Sequence, residues 1–157
     1  MIFIGIVSNK ISPKQANRIL DYENLDNNYK ILFINDRNIN NFRNISFDTL
    51  LVNDSIMKKS VLKNMVKKTR YIIVNSDIDN GVENIDGKNI IITYGFTRKS
   101  TVSISSVEGE NLLLAIQRNI RKNNGEVIEN QEIYIKKEVG INMHVQIGGF
   151  IINKIYS

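Results

Sequence analysis

An α/β fold, a mostly parallel sheet flanked by helices with a C-terminal antiparallel meander, is predicted by three features of the sequence. Continuous apolar runs of strand length recur through the first 95 residues, as strands buried on both faces require. Helical stretches alternate with strands over short links, the pattern that right-handed parallel crossovers produce. After Gly95 polar and apolar residues begin to alternate, which marks antiparallel strands with one wet face.

The elements follow in order. "IFIGIVS" (2–8) is the first buried strand. Ser12-Pro13-Lys14-Gln15 then opens a helix, with a serine cap, a glutamine three residues later and proline at the first helical position. This helix is expected to reach about Glu23, with Ala16, Ile19 and Leu20 facing inward. "KILFIN" (30–35) and "DTLLVN" (48–53) read as further buried strands joined by an Asn-rich loop. Residues 55–68 form an amphipathic helix with Met57, Val61, Leu62 and Met65 on one side and Lys59, Lys63, Lys67 and Arg70 on the other. "YIIVNSD" (71–77) and "NIIITYG" (89–95) complete five parallel strands.

Residues 96–99 are the joint between the two kinds of sheet. Three antiparallel segments follow, 100–107, 111–120 and 125–137, separated by the tight-turn compositions "EGE" and "KNN". Residues 142–157 suit a closing helix with Val145, Ile147, Ile151, Ile152 and Ile155 toward the core. Gly148-Gly149 works against it by about 1 kcal/mol per glycine. One domain over 1–157 is expected: a parallel core to residue 95, the extension over 100–137 and the closing helix.

Composition narrows the chemistry. The chain has 157 residues, no cysteine and one histidine, His144. Disulfides, thiolate metal sites and a cysteine nucleophile are excluded, and little is left for zinc or a histidine triad. The net charge of +5 permits an anionic ligand but is mild for a nucleic-acid binder. The Lys59–Lys63–Lys67–Arg70 stripe lacks interleaved aromatics and reads as a solvated helix face, so no nucleic-acid partner is expected. His144 reads as a helix-end residue, and Arg98 and Lys99 as exposed loop cations. No apolar run approaches the length of a membrane span, and the start lacks a basic region ahead of its apolar run. The expected setting is cytoplasmic, away from membranes.

The order "YIIVNSDID", "IITYGF", amphipathic strand resembles the central, ATP-binding domain of the Mur ligase family, a Rossmann-like fold with a phosphate loop. In that family an Asn-x-Asp-Asp motif ends one strand and Thr-Tyr-Gly ends a following one. Asn75-Ser76-Asp77-Ile78-Asp79 and Thr93-Tyr94-Gly95 stand in those places, and "FDTLLVND" looks like the strand leading to the family's Thr-Asn segment. The resemblance implies ATP or ADP with magnesium as the candidate ligand. The nucleotide-binding residues it implies are Ser8, Asn9, Lys10, Ser12 and Lys14 in the phosphate-loop position and Asn75 and Asp77 at the strand end.

The catalytic parts of the family do not carry over. "GIVSNKISPKQ" has no glycine after Gly5, so the nest of free backbone N–H groups that a phosphate needs is missing. Between the second and third strands there is no magnesium-holding glutamate, only Asp36. The modified lysine has no counterpart, and Gly140, Asn142 and His144 do not follow the family's Gly-x-His-Asn order. The family's terminal domains are not matched in these residues. The implied function is that of a degenerate, non-catalytic relative binding a small molecule, a nucleotide included, or a protein partner. The alternative is a divergent ATP-dependent amide-bond ligase or nucleotide-binding subunit acting with another chain. No catalytic or metal-ligating residue is assigned. The C-terminal segment, through Phe150, Ile151 and Ile155, is the expected surface for self-association or a partner.

Overall fold

The elements run β1 (Ile2–Val7), α1 (Pro13–Ile19), β2 (Tyr29–Ile34), a 3-10 turn (Ile39–Phe42), β3 (Thr49–Val52), α2 (Lys59–Val66), β4 (Tyr71–Asn75) and β5 (Ile90–Gly95). There follow β6 (Val102–Glu108), β7 (Asn111–Ile116), β8 (Ile120–Arg121), β9 (Val127–Ile128), β10 (Gln131–Lys136) and α3 (Met143–Tyr156). The structure, a computed structural model, describes residues 1–20, 25, 28–79, 82 and 88–157. Eight strands form one sheet in the order β10-β7-β6-β5-β4-β3-β1-β2. β1 to β5 are parallel throughout, β6 joins β5 in parallel at Tyr94↔Val102 and Gly95↔Ser103, and β7 and β10 are antiparallel.

Alternation along the buried strands divides the core into two layers. Ile4, Ile6, Leu51, Tyr71 and Ile73 pack with α1 and α3 on one face. Val7, Leu50, Val52, Ile72 and Val74 pack with α2 on the other. Both faces of these strands are covered, which is why their sequences are continuously apolar. β2 and β3 flank β1 on opposite sides, so the strand order reverses at β1. The chain leaves β1 toward α1 on one face and β3 toward α2 on the other. Diverging connections of this kind leave a crevice at the carboxyl edge of the sheet.

Several expectations are corrected. α1 ends at Ile19, because Leu20 is extended (φ −91°, ψ 127°); the rest of the predicted run to Glu23 lies outside the described residues. α2 starts at Lys59 rather than 55, and Met57, expected inside, is 88% exposed. The cause is Asp36, whose carboxylate accepts the Met57 and Lys58 N–H groups at 2.9–3.0 Å and holds them in a turn ahead of the helix. The segments 111–120 and 125–137 are each broken in two, with β8 and β9 paired as a separate two-stranded sheet. The Ser12–Gln15 capping box forms as expected.

α3 lies across the sheet with Val145, Ile147, Ile151, Ile152 and Ile155 buried. Its glycines are required by close approach. A Cβ on Gly148 would lie 2.8 Å from Leu51 Cδ1 on β3, and one on Gly149 would lie 2.8 Å from Ile19 Cδ1 on α1. The cost in helix propensity is thus exchanged for contact with both neighbours. Ile151 and Ile155 are spent inside the chain, so a partner at this surface would meet Phe150, whose ring carries the Lys154 ammonium at 5.6 Å. Among the described residues no helix is long and apolar enough to cross a membrane.

Candidate ligand site at the carboxyl edge of the sheet

A cleft of about 250 Å³ opens where the topology places the crevice, bounded by the loop after β1, the ends of β3 and β4 and the first turn of α3. Lys10, Asn53, Asp54, Asn75, Asp77 and His144 supply its polar lining. A larger hollow of about 450 Å³ runs along α2 beside Arg43, Lys67 and Lys68. Its polar side chains are exposed and none is fixed by a hydrogen bond among the described residues, whereas those of the carboxyl-edge cleft, Lys10 apart, are held by hydrogen bonds. Convergent, oriented polar groups distinguish a binding site from a surface hollow.

The floor is built from the ends of β1 and β3. Ser8 is buried and donates its hydroxyl to the Asp54 carboxylate, with Oδ1 at 3.0 Å. Ser8 Oγ in turn accepts the backbone N–H groups of Lys10 (3.0 Å) and Ile11 (2.9 Å). Beside it, Asn75 donates to the Asn53 carbonyl at 3.0 Å, and the buried Tyr94 hydroxyl donates to Asn53 Oδ1 at 2.6 Å. The strand-end asparagine thereby ties β3 to β4, while Tyr94 ties β5 to the same point.

One wall turns on Asp77. Its carboxylate accepts from the Phe96 N–H (2.7 Å), the Thr97 hydroxyl (3.0 Å) and His144 Nε2 (2.7 Å). Burial acts to raise the Asp77 carboxyl, but the hydrogen bonds from His144, Phe96 and Thr97 outweigh it and hold the group below the usual carboxylate value. With the carboxylate ionised, Nε2–H is the donor. The His144 ring also stands edge-on to Phe96, centroids 5.3 Å apart. Gly95 follows from this arrangement: its φ is +152°, and a Cβ there would lie 2.5 Å from Asp77 Oδ2. The Thr-Tyr-Gly sequence therefore has a local physical role, a hydroxyl for Asn53 and space for Asp77.

Lys10, Asn75 and Asp77 line the cleft together, and Ser8 lies beneath it. Asn9 turns away and exchanges hydrogen bonds with Asp36 at 2.8 and 3.0 Å. Ser12 is occupied in capping α1, and Lys14 is exposed outside the cleft. Asp54, Asn53 and His144 were missed by the sequence reasoning. The strand-end rule that selected Asn75 and Asp77 applies equally to Asn53-Asp54 after β3, and that signal was present. His144 is joined to Asp77 across 67 positions, a pairing no local pattern shows.

The arrangement does not fit a phosphate group. Two of the loop's N–H groups are taken by Ser8, Pro13 has none to offer, and a buried carboxylate stands where negative charge would sit. Among the described residues no three His, Asp or Glu side chains are grouped to hold a metal ion. No protein-family model matches the chain, and no curated protein matches it.

Proposed function

We propose that this chain is a cytoplasmic small-molecule-binding domain, a degenerate counterpart of the Mur ligase central domain without turnover of its own. The observation that carries the reading is the cleft at the carboxyl edge, set at the reversal of strand order and lined by hydrogen-bonded polar side chains. Ligands of open α/β sheets bind at such points. The lack of turnover is supported by the loop after β1, whose donors are already engaged by Ser8. Amide NMR titration with small cationic, zwitterionic, sugar and nucleotide ligands tests it. Shifts from at least one ligand are expected to cluster on residues 8–11, 53–54, 75–78 and 141–145. Shifts confined to α2 or another surface would contradict the assignment.

A further inference from the structure

We propose that the ligand group seated on the floor of this cleft is a cation, a compact alkylammonium, and not the phosphate that a strand–loop–helix start suggests; the proposal rests on the small-molecule reading above. Asp54 carries the argument. Its residue is only 6% exposed, it lines the cleft, and among the described residues its carboxylate receives one hydrogen bond group, the Ser8 hydroxyl. Among the described residues no Lys, Arg or His forms an ion pair with it. A buried carboxylate with a single neutral donor is under-compensated, and breaking or omitting the partner of a buried charge is costly. The missing partner is supplied by a ligand.

The donors around Asp54 point the same way. The Lys10 and Ile11 N–H groups are consumed by Ser8 Oγ. α1 begins with a closed capping box and proline. The positive end of α3 already has an anion, since Asp77 touches the second residue of that helix through His144. Among the described residues Lys10 is the one ammonium lining the cleft; it is exposed and forms no ion pair with Asp54. The volume, about 250 Å³, falls below the roughly 300–1,000 Å³ of drug-sized pockets. A small amine fits that scale.

The test is calorimetric and amide-NMR titration of the full chain with 1,4-diaminobutane, pyrophosphate and glycerol. Wild type, Asp54→Asn and Lys10→Gln are compared at fixed salt. 1,4-Diaminobutane is expected to shift the amides of residues 53–54, to bind about tenfold more weakly to Asp54→Asn, and to bind more tightly to Lys10→Gln. Asp54→Asn keeps the shape and the acceptor for Ser8. Should it fail to fold, Lys10→Gln, at an exposed position, reads the same charge preference with the opposite sign. Diaminobutane binding that ignores both substitutions, or that weakens in Lys10→Gln, overturns the proposal. Pyrophosphate or glycerol shifting the cleft amides while diaminobutane does not would leave the cleft as a ligand site but remove the cation. No response of the cleft to any of the three overturns the cation and counts against the cleft itself.

Discussion

At the amino edge of the sheet, Tyr156 at the end of α3 donates to Asp48 at 2.6 Å, shares a hydrogen bond with the buried Thr49 hydroxyl and stands edge-on to Tyr29 with centroids 4.7 Å apart. Asn123 joins Tyr29 to Arg70, and the Tyr71 hydroxyl donates to the Arg121 carbonyl at 2.8 Å. Burial first, and Asp48 after it, push the Tyr156 phenol well above its usual value. At the carboxyl edge the same helix begins beside a cleft, and among the described residues the Asp54 carboxylate has only the Ser8 hydroxyl as a hydrogen-bond partner. Both edges are rich in hydroxyls, amides and carboxylates. One is closed on itself and holds the fold together; the other is arranged around a space. Polar groups that complete each other stabilise, while those left convergent on a cavity are available for binding.

Breaking the closed edge has the largest expected effect. Tyr156→Ala removes a buried ring and leaves Asp48 and Thr49 without their phenol, which should cost about 3 kcal/mol or more in urea unfolding. Tyr156→Phe keeps the ring and removes only the hydroxyl; about 1 kcal/mol is expected. If the two substitutions cost the same, the hydrogen bonds rather than the packing carry that edge.

At the open edge, Asp77→Asn should cost about 1 kcal/mol near neutral pH, after allowance for solvent around a partly exposed pair. The sign with pH is fixed by the direction of the shift. Asp77 is held below its ordinary value of 3.8, so its contribution is full above that value and is lost as pH falls through the depressed folded one. Wild type and Asp77→Asn should therefore differ in stability at pH 6 and converge only as pH falls from the ordinary carboxylate value through the depressed folded one. A gap that persists in acid would mean that the carboxylate's charge is not what Phe96, Thr97 and His144 stabilise. Smallest of all is Lys63→Gln on the outer face of α2, expected to change stability by less than about 0.5 kcal/mol. A larger loss would assign that face a structural role that its exposure does not suggest.

The five parallel strands were legible because burial on both faces leaves an unbroken apolar run, a signal contained within each segment. The α1 cap was legible for the same reason, as Ser12 and Gln15 satisfy each other. What was not legible depends on distant residues. The start of α2 is set by Asp36, more than twenty positions upstream. Beyond Ile116, Gln117 is tied across the joint, its N–H to the Thr101 carbonyl and its side-chain amide to the Ser100 carbonyl and the Ser103 hydroxyl, contacts made sixteen, seventeen and fourteen positions away. Gly148 and Gly149 looked like weaknesses until Leu51 and Ile19 were seen against them. Half of the candidate site was readable from strand ends; the His144–Asp77 contact and the engagement of Ser8 by Asp54 arise only when the strands are laid side by side.

The contrast between the edges is tested most directly by one pair of matched substitutions, Asp48→Asn and Asp54→Asn, compared by urea unfolding at neutral pH. Asp48 accepts from Tyr156 in a closed network, so its neutralisation should cost about 1 kcal/mol or more. Asp54 is buried with one neutral donor, and removing an under-compensated buried charge should leave stability unchanged or raise it. That opposite response is the result predicted for an edge reserved for a ligand. A loss at Asp54→Asn as large as that at Asp48→Asn would contradict it, and would make Asp54 a structural residue of the same kind as Asp48.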